Sequence, residues 1–319
     1  MRTVTPSDRP APRPAPPGRI RAYLELLRPA NVATALADVL AGVSVAGVTV
    51  PTSGFPSRLG WLLVAAAGLY AGGIVLNDVF DRAIDAGDRP ERPIPSGRVT
   101  AGEAALLGAA LLAGGVTAAA MAGRVPAAVA SAIAVAVLAY DAWGKRHPFI
   151  GPLNMGLCRA LNLLLGIAIA PAVLASAWPL GAVPLVYIAA VTMVSRGEVH
   201  GARQPVLRAG LGLVTVVALV LAVIAVTGGL RMAPNPGLPH HAWALLLVVA
   251  LAARLLPAFG RAARTTAPAD IRRAVRTGVL SLVLVDAVIA ASYAGIMNSL
   301  AVLATGLLAW GLARLFAVT

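Results

Sequence analysis

Apolar stretches of roughly 16–21 residues recur along the chain, close to the roughly 20 residues that a helix needs to cross a bilayer. They fall near residues 30–50, 61–77, 102–121, 125–140, 155–174, 179–195, 209–229, 241–257 and 277–296. One more run, Ser299–Val318, has the length of a tenth span or of a helix lying in the interface, and hydropathy does not separate the two. The pattern predicts an all-α, polytopic bundle of nine or ten transmembrane helices over residues 20–319. Ahead of it, residues 1–19 hold six prolines and four arginines with no apolar core before a cleavage site. That segment reads as a disordered basic tail rather than a signal peptide.

Composition agrees with the pattern. With 59% hydrophobic residues, 12% charged residues and a mean hydropathy of +0.82, there is too little polar surface for a soluble domain of 319 residues. Basic residues set the orientation. The loops after the second, fourth, sixth and eighth spans carry Arg82, Arg89, Arg92 and Arg98; Lys145 and Arg146; Arg196, Arg203 and Arg208; and Arg261, Arg264, Arg272, Arg273 and Arg276. The alternate loops carry only Arg58, Arg124 and Arg231. The rich side is expected to be cytoplasmic, in the cell membrane, with the N-terminal tail beside it. This distribution accounts for the net charge of +13 without nucleic acid, since no basic helix or aromatic platform accompanies it. The single cysteine, Cys158, lies in an apolar run and excludes an intrachain disulfide or a cysteine-rich metal site.

Acidic residues carry the main chemical signal. There are 13 in the chain, and Asp78, Asp81, Asp85, Asp88 and Glu91 all fall at the cytoplasmic end of the second span. If the helix continues to about Asp85, then Asn77, Asp81 and Asp85 stand at i, i+4 and i+8 and line up along one face. Carboxylates stacked in this way repel one another unless a cation binds among them. A hard divalent ion with oxygen ligands, most simply Mg²⁺ shared with a phosphorylated substrate, supplies that charge. Arg82, Arg89, Arg92 and Arg98 are placed to meet the remaining phosphate oxygens. The plainer alternative is a solvated loop whose acids and arginines neutralise each other.

The run Asn77-Asp78-Val79-Phe80-Asp81-Arg82-Ala83-Ile84-Asp85, of the form N-D-x-x-D-x-x-x-D, leads into Arg89-Pro90-Glu91-Arg92-Pro93-Ile94-Pro95-Ser96-Gly97. Together these resemble the first signature of the UbiA prenyltransferase superfamily. The likeness extends from Arg28-Pro29 and Asn31 to the region around Gln204. It implies a helical fold around a central cavity in which Asn77, Asp81 and Asp85, with Asp78 beside them, hold Mg²⁺ on a prenyl diphosphate. Loss of diphosphate then gives an allylic cation that alkylates a lipophilic acceptor, usually an aromatic ring, while the prenyl tail lies toward membrane lipid. Tyr140-Asp141-Ala142-Trp143-Gly144-Lys145-Arg146 is similar to a tyrosine and Lys-Arg element of the same family, which implies diphosphate binding by Lys145 and Arg146. As ordinary topology, the same pair anchors a helix end.

One departure matters. The family's second aspartate-rich motif is replaced by Ser195-Arg196-Gly197-Glu198-Val199-His200-Gly201-Ala202-Arg203-Gln204. Glu198 remains as a metal ligand, His200 as a base or softer ligand, and Arg196 and Arg203 as diphosphate contacts; the bland reading is solvent exposure. With Cys158-Arg159-Ala160-Leu161-Asn162, the departure is similar to the EboC-like branch, which is associated with secondary metabolism. Inside the spans, Asn31, Asp38, Arg159, Asn162 and Asp286 are polar where charge is costly, so they line a cavity or bind helices together. Three functions compete: an Mg²⁺-dependent prenyltransferase, a catalytically altered carrier of a lipophilic metabolite, and an isoprenoid cyclase or lipid phosphotransferase that uses one acidic motif. A lipid phosphotransferase of the CDP-alcohol type is disfavoured because D-G-x-x-A-R is absent from the acidic segment.

Overall fold

The computed structural model describes residues 18–49, 57–199, 201–227 and 238–315, and His200 and Arg231 therefore lie outside the described residues. The helices run α1 (Arg19–Leu27), α2 (Pro29–Val45), α3 (Ser57–Asp88), α4 (Ala101–Ala122) and α5 (Arg124–Ala142), then a 3₁₀ turn, Gly144–Arg146. They continue as α6 (Ile150–Ile167), α7 (Pro171–Ala177), a second 3₁₀ turn, α8 (Ala182–Ser195), α9 (Gln204–Thr227), α10 (Leu238–Thr265) and α11 (Pro268–Leu315). Among the described residues there is no strand, and nine helical stretches are long and apolar enough to cross a membrane, counting α1 with α2 and α7 with α8. The protein is a multi-pass membrane protein.

Several boundaries differ from the hydropathy pattern, most of all α3, which runs from Ser57 to Asp88 rather than 61–77. The fifth span, expected to reach residue 174, stops at Ile167, because Pro171 has no N–H to continue a helix and instead opens α7. Arg19, counted with the tail, opens α1. The apolar side of this helix packs Ala22 and Leu26 against Val75 of α3, Ala104 of α4 and Val99 in the loop between them.

The last run is a folded-back limb. At Gly295 the backbone takes φ 82° and ψ −171°, which breaks α11 in a conformation that favours glycine. A Cβ on Gly306 would lie 3.0 Å from the Val283 side chain. In a straight helix those two residues would be about 35 Å apart at about 1.5 Å per residue. The portion after Gly295 therefore returns alongside the portion before it, and Val302 is buried in the core it joins.

Helices α2 and α6 form the seam of the molecule. Ala37, Ala41, Leu163 and Ile167 face a core shared with α8 to α11, while Val39, Val43 and Leu165 face one shared with α3 to α5. The two helices touch through glycine. A Cβ on Gly42 would stand 2.1 Å from the Leu163 carbonyl oxygen, and one on Gly166 2.3 Å from that of Val39. Small residues permit such close backbone approach, the main means of packing helices where lipid removes the hydrophobic drive.

Candidate active site

Helix α3 has 32 residues, a length of about 48 Å against a hydrocarbon core of roughly 30 Å. Its C-terminal turns thus project past the apolar layer, and they carry Asn77, Asp81 and Asp85 along one face. Each acid meets a cation from another segment. The proline-rich loop after α3 brings Arg92 over the helix, with Nη1 2.6 Å from Asp85 Oδ2 and 3.4 Å from Asp78 Oδ1. Asp78 also accepts from Arg28 Nη2 at 2.6 Å. Arg28 occupies the corner between α1 and α2 with φ 43° and ψ 63°, ahead of Pro29, which disfavours helical backbone at the residue before it. Lys145, in the 3₁₀ turn after α5, lies 2.7 Å from Asp81 Oδ1 and 3.8 Å from Asp141.

Asn77 is oriented from behind. Its Nδ2 donates to Asp141 Oδ1 at 2.8 Å, and Asp141 is 2% exposed, so the amide oxygen of Asn77 is left to face outward. Asp81 and Asp85 likewise each retain one oxygen with no protein partner among the described residues. These three groups line a polar hollow of about 340 Å³ together with Asp88, Arg89 and Arg92. Next to it lies a second cavity of about 250 Å³, whose middle is apolar: Leu69, Ile74, Ile133, Val137 and Met155. Arg28 and Asn77 belong to the walls of both.

The donor set of the hollow is amide and carboxylate oxygen, which suits a hard cation such as Mg²⁺. Among the described residues no three of His, Cys, Asp or Glu converge on one point. The acids are held apart by their arginine and lysine partners, so a cation would meet single free oxygens of Asn77, Asp81 and Asp85. Asp78 does not fit that set, because its carboxylate is turned to Arg28 and Arg92 and does not line the hollow.

Several residues expected in the site lie elsewhere. Arg82 is exposed and donates to the Val79 carbonyl of its own helix. Arg196 donates to the carbonyls of His147 and Arg146, which braces the turn from outside, and the Arg146 side chain is exposed. Arg203 is exposed as well, and none of these four lines either cavity. Glu198 is outside the hollow too; its backbone carbonyl accepts from Arg272 at 2.9 Å. Burial raises its carboxyl above the ordinary value, against the pull of Arg272 and Arg89. The loop that replaces the second acidic motif therefore adds no ligand to the first in this arrangement.

Within the membrane, Arg159 Nη1 donates to Asp38 Oδ2 at 2.8 Å, and Nη2 to Thr34 at 2.9 Å and to the Tyr70 hydroxyl at 3.0 Å. Asn162 Nδ2 donates to Asp38 at 2.9 Å and to the Ala35 carbonyl at 2.8 Å. Arg159, Asn162 and Asn31 also line the apolar cavity, so the two readings for Arg159 and Asn162, helix tie and cavity wall, hold together. Asp286 is fully buried and lines neither cavity.

Sequence and fold comparisons bear on this geometry. Residues 35–276 match the model of the UbiA prenyltransferase family. The chain belongs to that family. A digeranylgeranylglyceryl phosphate synthase of Ignicoccus hospitalis is 38% identical over 149 residues, 47% of each chain. Its counterpart in Methanoregula boonei is 28% identical over 273 residues, 82% of this chain and 94% of the relative. The chain spans about half the length of the curated relatives it matches at higher identity. A UbiA homolog from Archaeoglobus fulgidus, solved with GPP and Mg²⁺, superposes with a TM-score of 0.61 at 17% identity, covering 84% of this chain and 99% of that one, which establishes the shared UbiA fold.

For this UbiA-family chain, sequence reading missed Arg28, Tyr70, Tyr140 and Asp141 as walls of the site. Arg28 and Asp141 carried a signal: a cation just before a helix-opening proline, and an acid four residues before Lys145.

Proposed function

We propose that the protein transfers a prenyl group from a prenyl diphosphate to a lipophilic acceptor, with Mg²⁺ held by Asn77, Asp81 and Asp85. The observation that carries this reading is the pair of adjoining cavities, one polar and cation-rich, one apolar, with Arg28 and Asn77 in both. The polar part matches a diphosphate, and the apolar part beside it matches a lipophilic reactant. Arg28, Arg89 and Arg92 line the polar part, with Lys145 behind Asp81, and they stabilise the diphosphate as negative charge grows on it during departure. When bound, Mg²⁺ neutralises phosphate oxygens and assists the loss of diphosphate. Asp78 keeps Arg28 and Arg92 aimed, and Asp141 keeps the Asn77 oxygen turned outward.

The relatives named as synthases of a glyceryl phosphate lipid favour membrane-lipid prenylation over the secondary metabolism of the EboC-like branch. They lend no support to a carrier. The distribution of basic loops supports a site at the cytoplasmic face of the cell membrane.

The test uses the purified chain in detergent or nanodiscs with Mg²⁺ and prenyl diphosphates of several lengths, scored for diphosphate release with and without acceptors. Asp81→Ala and Asp85→Ala are each expected to lower release by at least about 100-fold, in line with removal of groups that act on transition-state charge. Release that survives both substitutions would overturn the reading.

A further inference from the structure

The apolar cavity is polar at its inner end. Tyr70, Arg159 and Asn162 form that end, while Asn77 marks the opposite one. Tyr70 and Asn77 stand seven residues apart on α3, about 10 Å along the axis. Polar groups at this depth are costly and by default serve a ligand.

The hydrogen bonds at the inner end are specific about what they leave open. Tyr70 accepts from Arg159 Nη2, and its ring lies under the same guanidinium, 4.7 Å from centroid to Cζ. The hydroxyl proton cannot return to a cation, and no partner for it is present among the described residues. Asn162 is 6% exposed, and its amide nitrogen is engaged by Asp38 and the Ala35 carbonyl, which leaves its carbonyl oxygen unpartnered. One free donor and one free acceptor therefore line the same end of the cavity. The Arg159 charge is met by Asp38, so this end carries no strong pull on an anion.

From this we infer that the cavity floor is an acceptor subsite for a neutral hydroxyl group, which takes a hydrogen bond from Tyr70 and gives one to Asn162. The inference rests on the prenyl-transfer reading and narrows its acceptor to a compact molecule with a nucleophile at one end and a hydroxyl about 10 Å away. A prenyl tail filling the same space would leave both groups without partners. An anionic group would find the Asn162 oxygen opposed to it.

The experiment measures binding without turnover, by isothermal titration of the full chain in nanodiscs. The probes are 4,4′-dihydroxybiphenyl, with a hydroxyl at each end, and 4-hydroxybiphenyl, which lacks the second. The wild type is expected to bind the first at least tenfold more tightly, and Tyr70→Phe to bring the two within twofold. Thr34→Val removes a different Arg159 contact, outside the cavity wall, and should keep the tenfold preference; that separates a lost hydroxyl from a loosened network. Equal affinities in the wild type, binding of neither probe, or a preference that survives in Tyr70→Phe overturns the subsite. Geranyl thiodiphosphate with Mg²⁺, titrated in parallel, reports on the donor site: its failure to bind counts against prenyl transfer itself, whereas its binding beside any of those results counts against the subsite alone.

Discussion

At the residue scale, the site depends on groups that fix other groups. Asp141 stands behind the hollow, against Asn77 and Lys145, yet it decides which end of the Asn77 amide faces outward. Asp141→Ala is expected to raise the Mg²⁺ concentration for half-maximal activity by about 10–100-fold, the usual loss when a partner behind a metal ligand is removed. Asp141→Asn, which retains an oxygen for the Asn77 amide, should recover much of it; equal defects in both variants would contradict the orienting role. Asp38 faces the reverse situation, because its loss strands a buried cation. Asp38→Ala should destabilise the fold by about 3–5 kcal/mol, as for other buried pairs broken on one side, read as a lowered unfolding midpoint in detergent. The Asn77, Asp81 and Asp85 face was legible because helical period alone aligns them. Arg28 and Asp141 carried only a local signal, since their partners lie 50 and 64 positions away along the chain and only tertiary packing brings them close.

At the scale of elements, the long α3 and the seam of α2 with α6 do most to place the site. The hydropathy pattern located each span, because lipid requires a continuous apolar run. It understated α3, whose last turns are polar and belong to the helix by backbone hydrogen bonding rather than by burial. It overran α6, where apolar residues continue past Ile167 while the backbone does not. The loop around Glu198 reads in sequence as a weakened second motif, but its position away from the hollow follows from the ends of α8 and α9, which no local pattern encodes. The seam offers a direct test. Gly42→Ala places a methyl group against fixed backbone and should cost about 1–3 kcal/mol of stability, as overpacking does. Gly102→Ala, where no atom lies within 4 Å, should leave the unfolding midpoint unchanged. A similar result for both would mean that α2 and α6 are not held as closely as described.

For the whole molecule, orientation and catalysis are linked through the same basic residues. Loops that fix the topology also supply Arg89 and Arg92 to the hollow and Lys145 to Asp81 in its wall, so the charge that sets the orientation concentrates around the hollow. In a Cys158→Ala background, Arg203→Cys is expected to react with an impermeant maleimide only when the cytoplasmic face is accessible, and Arg124→Cys only from the opposite face. The reverse pattern would invert the membrane placement. The turn at Gly295 has its own bearing on layout. Because the final limb doubles back at Gly295, the helix that sets out from Pro268 returns toward the side it started from, and Arg314 comes back to that side. Arg272 and Arg314, 42 positions apart in the chain, are thus expected to share one side of the bilayer.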